Sequence, residues 1–140
     1  MKNNSIGFVG LGIMGSYMAG HLLKRFKSLN IVKRESKKYK SFIKRFSHLG
    51  NLKIYENYKH FARNSDIIIS CVGDDFDLRK IYLSQDSIIN GIRPNTIIID
   101  HTTSSHKIAI ELNKKFLQKK VFFFDAPVSG GEIGSKNGQL

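Results

Sequence analysis

The chain has 140 residues, of which 41% are hydrophobic and 24% are charged, with only two prolines and one cysteine. This composition is typical of a globular domain and excludes disordered chains, fibrous chains and disulfide-rich scaffolds. The net charge of +12 would suit an anionic partner, but no nucleic-acid recognition motif accompanies it, so we expect solvated basic helix faces and no nucleic-acid partner.

The length of the chain fits one domain, which we place at residues 1–140. No apolar run approaches the roughly 20 residues that a membrane-spanning helix needs. Residues 1–5 lead directly into a strand-like run, without the apolar centre of a signal peptide. We therefore expect a cytoplasmic protein with no membrane partner.

Short apolar runs alternate with segments of helical period along the chain. Several runs are apolar throughout, which is typical of strands covered on both faces. Strands joined by helices form right-handed crossovers, so we predict an α/β fold with a Rossmann-type doubly wound parallel sheet. The predicted strands are residues 5–10, 29–33, 52–55, 66–72, 96–100 and 121–125, and the clearest helices are 13–26 and 104–119.

A glycine-rich turn lies between the first predicted strand and the first helix. Its sequence has the form GxGxxG, which in this position is typical of dinucleotide binding. The first glycine makes a tight turn, the second lets a pyrophosphate approach the backbone, and the third lets the helix pack closely on the sheet. The predicted cofactor-binding residues here are Gly10, Leu11, Gly12, Ile13, Met14 and Gly15.

The end of the second strand distinguishes NAD from NADP. An acidic residue there binds the ribose of NAD, whereas an arginine accommodates the 2'-phosphate of NADP. The chain has Lys33, Arg34 and Ser36 at this point, so we predict NADP and assign these three residues to its 2'-phosphate. Two alternatives stay open. If the strand ended later, Glu35 would bind the ribose and favour NAD. The cations could also have no cofactor role and simply begin a basic helix.

The later part of the chain offers few other candidate sites. Cys71 lies in the fourth predicted strand, where we expect a buried and unreactive thiol. The five histidines show no metal-binding spacing, so no metal is predicted, and His101 is expected to be solvated.

Three segments together resemble the β-hydroxyacid dehydrogenase family, which includes 3-hydroxyisobutyrate dehydrogenase and tartronate semialdehyde reductase. They are "IGFVGLGIMGSYMAGHLLK" from Ile6, "DHTTSS" from Asp100 and "DAPVSGG" from Asp125. The nucleotide domain of this family is similar to that of 6-phosphogluconate dehydrogenase. The resemblance implies an oxidoreductase that transfers hydride between NADP(H), or alternatively NAD(H), and a small β-hydroxyacid or its semialdehyde; imine reduction by similar proteins stays open.

The resemblance also implies roles for residues after each later strand. Arg34 matches the arginine of the family's Asn-Arg-Thr sequence, although Lys33 and Glu35 depart from that pattern. For the later residues, the alternatives are helix caps and ordinary turns. The implied contacts are Val72, Gly73, Asp74 and Asp77 beside the adenosine, Thr102 and Thr103 near the nicotinamide, and Ser129, Gly130 and Gly131 around the substrate carboxylate.

The catalytic lysine of the family lies, by this resemblance, in an all-helical C-terminal domain beyond residue 140. We therefore predict no catalytic residue within the chain. The Rossmann sheet is expected to be truncated before its last strands, with residues 138–140 entering another strand. The chain alone is expected to be inactive, acting with a separate or missing helical domain and, in full-length members, as a homo-oligomer. The alternative is a non-catalytic NADP-binding module.

Overall fold

The computed structural model describes residues 4–140 and contains six strands that alternate with six α-helices. The strands are β1 (Ile6–Val9), β2 (Ser28–Val32), β3 (Asn51–Tyr55), β4 (Ile67–Ser70), β5 (Ile97–Asp100) and β6 (Phe122–Asp125). The helices are α1 (Ile13–Phe26), α2 (Lys37–Phe46), α3 (Tyr58–Arg63), α4 (Asp75–Leu83), α5 (His106–Leu117) and α6 (Gly131–Asn137). Single turns of 3-10 helix cover residues 47–49 and 88–90.

All six strands form one parallel sheet in the order β3-β2-β1-β4-β5-β6. The chain builds outward from β1 to β3, crosses back, and then builds from β4 to β6 on the other side. The strand order therefore reverses between β1 and β4, where doubly wound sheets bind their ligands, at the carboxyl ends of the strands. The predicted Rossmann-type fold is confirmed.

Two hydrophobic clusters cover the two faces of the sheet. The adjacent residues Phe8 and Val9 belong to different clusters, as expected because neighbouring side chains of a strand point to opposite faces. One cluster joins Phe8 to α1 and α2, and the other joins Val9 to α3, α4 and α5. This double cover explains why the strands are apolar throughout and not alternating.

The predicted element boundaries agree closely in the clearest cases and differ at the end of the chain. Helix α1 has the predicted bounds, and α5 is two residues shorter than predicted at each end. Gly138 adopts φ +67° and ends α6, and residues 139–140 belong to no helix or strand, so the expected entry into another strand stays a prediction. The N–H of Gln139 then donates to the carbonyl of Gly134 at 2.8 Å, which closes the helix.

No helix within the described range 4–140 is long and apolar enough to cross a membrane.

Candidate functional site

A cleft of about 550 Å³ lies at the carboxyl edge of the sheet. It extends over the ends of β1, β2 and β4 and the first turns of the helices that follow them. Many of its lining residues were predicted from the sequence. The lining comprises Phe8 to Gly15, Val32, Arg34, Ser36, Lys38, Tyr39, Tyr58, Cys71, Val72, Gly73, Asp77 and Ile81.

The glycine turn forms the floor of this cleft. Gly10 has φ +98°, and a Cβ atom there would lie 2.0 Å from the carbonyl oxygen of Cys71. A Cβ atom at Gly15 would lie 1.8 Å from the carbonyl oxygen of Gly10. The hydroxyl of Ser16 donates to the carbonyls of Leu11 and Gly12 at 3.0 and 2.6 Å. The folded chain itself therefore requires glycine at positions 10 and 15.

Gly12 differs from the other two glycines of the turn. A Cβ atom at this position would meet no atom within 4 Å, and its φ of −75° is open to any residue. Gly12 is also the N-cap of α1, and because glycine has no side chain, the first turn receives no side-chain capping hydrogen bond from it. The N-terminus of α1 therefore presents N–H donors and the positive end of the helix dipole to the cleft.

The end of β2 places two cations in the cleft lining, Arg34 and Lys38. The Nη1 atom of Arg34 donates to the Tyr58 hydroxyl at 3.0 Å. The hydroxyl of Ser36 accepts the N–H of Tyr39 at 3.2 Å and caps α2. This end of the cleft can therefore bind an anionic group through two side-chain cations.

The predicted cofactor contact Lys33 does not line the cleft. Its Nζ atom lies 3.4 Å from the Glu56 carboxylate, and Lys33 is not among the lining residues. Lys38, the second residue of α2, supplies the second cation of the lining instead. Sequence analysis missed Lys38 and Tyr58; the position of Lys38 on the first turn of an amphipathic helix was the available signal.

In the turn after β4, the backbone N–H groups of Val72 and Gly73 both donate to side chains. The N–H of Val72 donates to Thr102 Oγ1 at 3.0 Å, and the N–H of Gly73 donates to Asp77 Oδ2 at 3.2 Å. Asp77 is the one carboxylate among the described lining residues. Asp74 does not line the cleft; it caps α4 by accepting the N–H of Asp77 at 3.0 Å.

A buried hydrogen-bond network lies beneath this turn. The carboxylate of Asp100 accepts the Ser70 hydroxyl at 2.6 Å, the Thr102 hydroxyl at 2.7 Å and the Thr102 N–H at 3.2 Å. Tyr82 donates its hydroxyl to Ser70 at 2.8 Å. Burial raises the pKa of the Asp100 carboxyl, against the opposing effect of these donors. The network connects the ends of β4 and β5 through side chains that are all buried.

The two predicted threonines therefore occupy different environments. Thr102 is only 3% exposed, and its hydroxyl both donates to Asp100 and accepts from Val72. Thr103 is exposed, which leaves its side chain accessible to a ligand. His101 is half-buried, with Nδ1 2.7 Å from the Ala126 carbonyl oxygen, so the expectation of a solvated histidine is wrong.

Residues 129–131 lie outside the cleft lining and lead into α6. Gly130 and Gly131 have φ values of +122° and +59°, and both are exposed. Helix α6 packs on α1, where the Ser135 hydroxyl donates to the Met14 carbonyl at 2.7 Å. The loop is thus attached to the same helix that begins at the glycine turn.

Cys71 is half-buried at the cleft, where desolvation raises the pKa of its thiol. This environment disfavours the reactive thiolate. Within residues 4–140, no group of three or more His, Cys, Asp or Glu side chains is arranged to hold a metal ion.

Comparison with known proteins gives consistent matches over almost the whole chain. The family model of the NAD-binding domain of 6-phosphogluconate dehydrogenase matches residues 5–140. An oxidoreductase of Shewanella frigidimarina is 37% identical over 135 residues, which are 96% of this chain and 45% of that protein. A probable mitochondrial 3-hydroxyisobutyrate dehydrogenase-like protein of Arabidopsis thaliana is 34% identical over 140 residues, covering 99% of this chain and 40% of the relative.

A solved structure supports the same fold. The 3-hydroxyisobutyrate dehydrogenase of Mycobacterium tuberculosis, determined with L-serine, superposes with a TM-score of 0.80 at 24% identity, over 96% of this chain and 43% of that one. The chain thus spans less than half the length of the proteins it matches. It belongs to the β-hydroxyacid dehydrogenase family, of which it forms the N-terminal NAD-binding domain of the 6-phosphogluconate dehydrogenase type.

Proposed function

We propose that the chain is the NADP-binding part of an oxidoreductase that transfers hydride between NADP(H) and a small β-hydroxyacid or its semialdehyde. The observation that carries this proposal is the environment of Gly12. No neighbouring atom requires a glycine there, yet the position adjoins the N–H donors of α1. A pyrophosphate that approaches the backbone within hydrogen-bond distance provides the reason for its glycine.

The opposite end of the cleft supports NADP over NAD. Arg34 and Lys38 line this end together with Ser36, and a 2'-phosphate would accept charge-assisted hydrogen bonds from both cations. The carboxylate of Asp77 already accepts the N–H of Gly73, so it stabilises the β4 turn. The residues at the end of β2 thus favour a ligand with an additional negative charge.

Residues near the ends of β5 and β6 would face the nicotinamide and the substrate. When bound, the nicotinamide ring would accept or supply the hydride. We assign Thr103 to the cofactor and Ser129, Gly130 and Gly131 to the substrate carboxylate, because a hydroxyl and unshielded N–H groups suit an anion. Thr102 would act through the turn at Val72, which it holds by a hydrogen bond at 3.0 Å.

Hydroxyl oxidation also needs a group that accepts the hydroxyl proton. Lys38 is the one lysine among the described lining residues, and it lies in the first turn of α2, away from the proposed nicotinamide position. We assign cofactor and carboxylate binding to this chain and, from the resemblance to the β-hydroxyacid dehydrogenases, proton transfer to a lysine outside it.

Titration of the 140-residue chain with NADPH and with NADH tests the cofactor assignment. The chain has no tryptophan, so the fluorescence of the reduced nicotinamide can be followed without a protein signal in competition. We expect NADPH to bind at least about tenfold more tightly, because a hydrogen bond to a charged group contributes about 1.5–3 kcal/mol. Equal affinities, or tighter binding of NADH, would contradict the assignment.

An activity assay tests the proposal that this chain binds the cofactor but does not supply the proton acceptor. The purified chain should not reduce NADP⁺ when supplied with 3-hydroxyisobutyrate or similar acids, although NADPH binds. Measurable turnover by these residues alone would show that the proton acceptor lies within them.

A further inference from the structure

Tyr58 lies beside the proposed 2'-phosphate site without belonging to the strand or helix that carries the cations. It is the first residue of α3, whose N-cap Asn57 accepts the N–H of His60 at 2.9 Å. Because β3 pairs with β2 in parallel, α3 begins next to the end of β2. The half-buried Tyr58 side chain reaches the cleft from there.

The contact between Tyr58 and Arg34 is a hydrogen bond. Arg34 Nη1 lies 3.0 Å from the Tyr58 hydroxyl oxygen. The guanidinium carbon is 5.8 Å from the centroid of the tyrosine ring, near the outer limit of about 6 Å for a cation–π interaction. The hydroxyl is therefore the group that orients the guanidinium.

The nearby carboxylates have other partners, and Asp77 accepts the N–H of Gly73 at 3.2 Å. Glu56 pairs with Lys33 at 3.4 Å, and Glu35 lies 3.9 Å from Lys40. Arg34 is thus fixed by a neutral partner, which leaves its positive charge available to a ligand. Burial raises the pKa of the Tyr58 hydroxyl, so this partner stays protonated and neutral near neutral pH.

The hydrogen bond also reduces the entropic cost of binding. An exposed arginine side chain samples many rotamers, and part of this freedom is lost when the side chain binds a ligand. Tyr58 restricts Arg34 before binding and occupies only one of its five N–H donors. The remaining donors can reach a phosphate.

We infer that Tyr58 is a positioning residue that determines the preference for NADP, because it holds Arg34 in place for the 2'-phosphate. This inference rests on the proposed NADP site. It predicts that the Tyr58 hydroxyl contributes to NADPH binding through Arg34 and makes no contribution to NADH binding.

The test is a double-mutant cycle with Tyr58→Phe and Arg34→Ala, in which the dissociation constants of NADPH and NADH are measured for the full 140-residue chain. Tyr58→Phe should weaken NADPH binding about threefold to tenfold and leave NADH binding unchanged. In the Arg34→Ala background, Tyr58→Phe should have no further effect on NADPH. Tyr55→Phe is the matched control, since Tyr55 is a nearby tyrosine outside the cleft lining.

The outcomes separate this inference from the proposed function. If the unsubstituted chain prefers NADPH, three results would overturn the role of Tyr58 alone. Tyr58→Phe could leave NADPH affinity unchanged, or it could weaken NADH binding as much as NADPH binding. It could also weaken NADPH binding equally in the Arg34→Ala background. An unsubstituted chain without that preference would overturn both proposals. Thermal unfolding of each variant verifies that it is folded.

Discussion

At the scale of single residues, Gly12 and Gly15 belong to one turn but are glycine for different reasons. Gly12→Ala adds a methyl group to open space at an ordinary φ. We expect the free energy of unfolding to stay within about 0.5 kcal/mol of the unsubstituted value. NADPH affinity should fall at least about tenfold, because the methyl group would occupy the path of the pyrophosphate. Urea denaturation and nicotinamide fluorescence measure the two effects.

Gly15→Ala is the matched comparison, since the same methyl group would lie 1.8 Å from the Gly10 carbonyl oxygen. We expect it to destabilise the fold by about 2 kcal/mol or more, because the helix must move away from the turn. If both variants lost stability equally, Gly12 would have a structural role that its surroundings do not indicate.

Asp66 predicts a defined pH dependence of stability. Its carboxylate accepts the N–H and hydroxyl of Ser5, both at 2.9 Å, and a hydrogen bond from Arg93 at 2.6 Å. These donors, the Ser5 N–H first, lower the pKa of Asp66. A lowered pKa in the folded state stabilises the protein above the pKa of the unfolded chain, and this contribution is lost as the pH falls through the folded-state value.

We therefore expect Asp66→Asn to lower the free energy of unfolding by about 1 kcal/mol near neutral pH. The difference should disappear in acid, below the lowered pKa. Urea denaturation at a series of pH values measures it, and a loss that stayed constant across that series would assign the effect to packing and not to the carboxylate charge.

The sequence predicted the backbone part of the site better than the side-chain part. The glycine turn follows from local spacing, because a strand, a tight turn and a helix constrain each position. The direction of a long side chain depends on distant partners. Glu56, on the loop after β3, pairs with Lys33, so Lys38 and not Lys33 lines the cleft. The alternative of a helix cap is wrong for Thr102, because Ser105 caps α5 and Thr102 bonds instead to Asp100 and Val72.

At the scale of elements, α6 is the helix that sequence reasoning did not anticipate. It has seven residues, two of them glycine, and such a short segment forms no stable helix in isolation. Its stability comes from α1: Ser135 donates to the Met14 carbonyl, and Nε2 of His21 lies 3.0 and 3.1 Å from the carbonyl oxygens of Ser135 and Lys136. Tertiary contacts, which no local pattern reveals, decide its structure.

We expect Ser135→Ala to loosen α6 without unfolding the sheet. The buried hydroxyl contributes about 1 kcal/mol through its hydrogen bond, which is enough to raise the open population of a marginal helix about fivefold. Hydrogen exchange should therefore accelerate in residues 131–137 and stay unchanged in β4 and β5. Ser84→Ala is the control, because the Ser84 hydroxyl bonds only within its own region, to Lys80. Equal acceleration in both variants would exclude a specific role for the α6 contact.

At the scale of the whole molecule, the positive charge is unevenly distributed along the chain. Eleven of the 23 lysine and arginine residues, but only one of the 11 acidic residues, precede Leu52. The sequence predicted solvated basic faces on several helices. In the fold, α2 carries five of these cations, and its first turn adjoins the end of the cleft that Arg34 and Lys38 line. A field of this kind attracts anionic ligands over a distance.

We expect salt to weaken NADPH binding more than NADH binding, since NADPH carries the additional phosphate. Between about 0.01 M and 0.15 M salt the Debye length falls from about 30 Å to about 8 Å, so the preference for NADPH should decrease severalfold. Lys38→Gln should reduce this salt dependence, whereas Lys114→Gln, in the last turn of α5, should not. Titrations at several salt concentrations measure it, and identical salt dependence for the two dinucleotides would contradict a 2'-phosphate site beside Lys38.

The open space beside Gly12 also has an evolutionary consequence. Mutation would convert this codon freely to alanine in a lineage selected only for a folded chain, because the added Cβ atom would meet no other atom within 4 Å. Gly10 and Gly15 would survive such drift, since their replacement would damage the fold itself. If the proposed function holds, the glycine at position 12 reflects selection for a bound dinucleotide, and its loss would be the first sign of a descendant that folds but no longer binds.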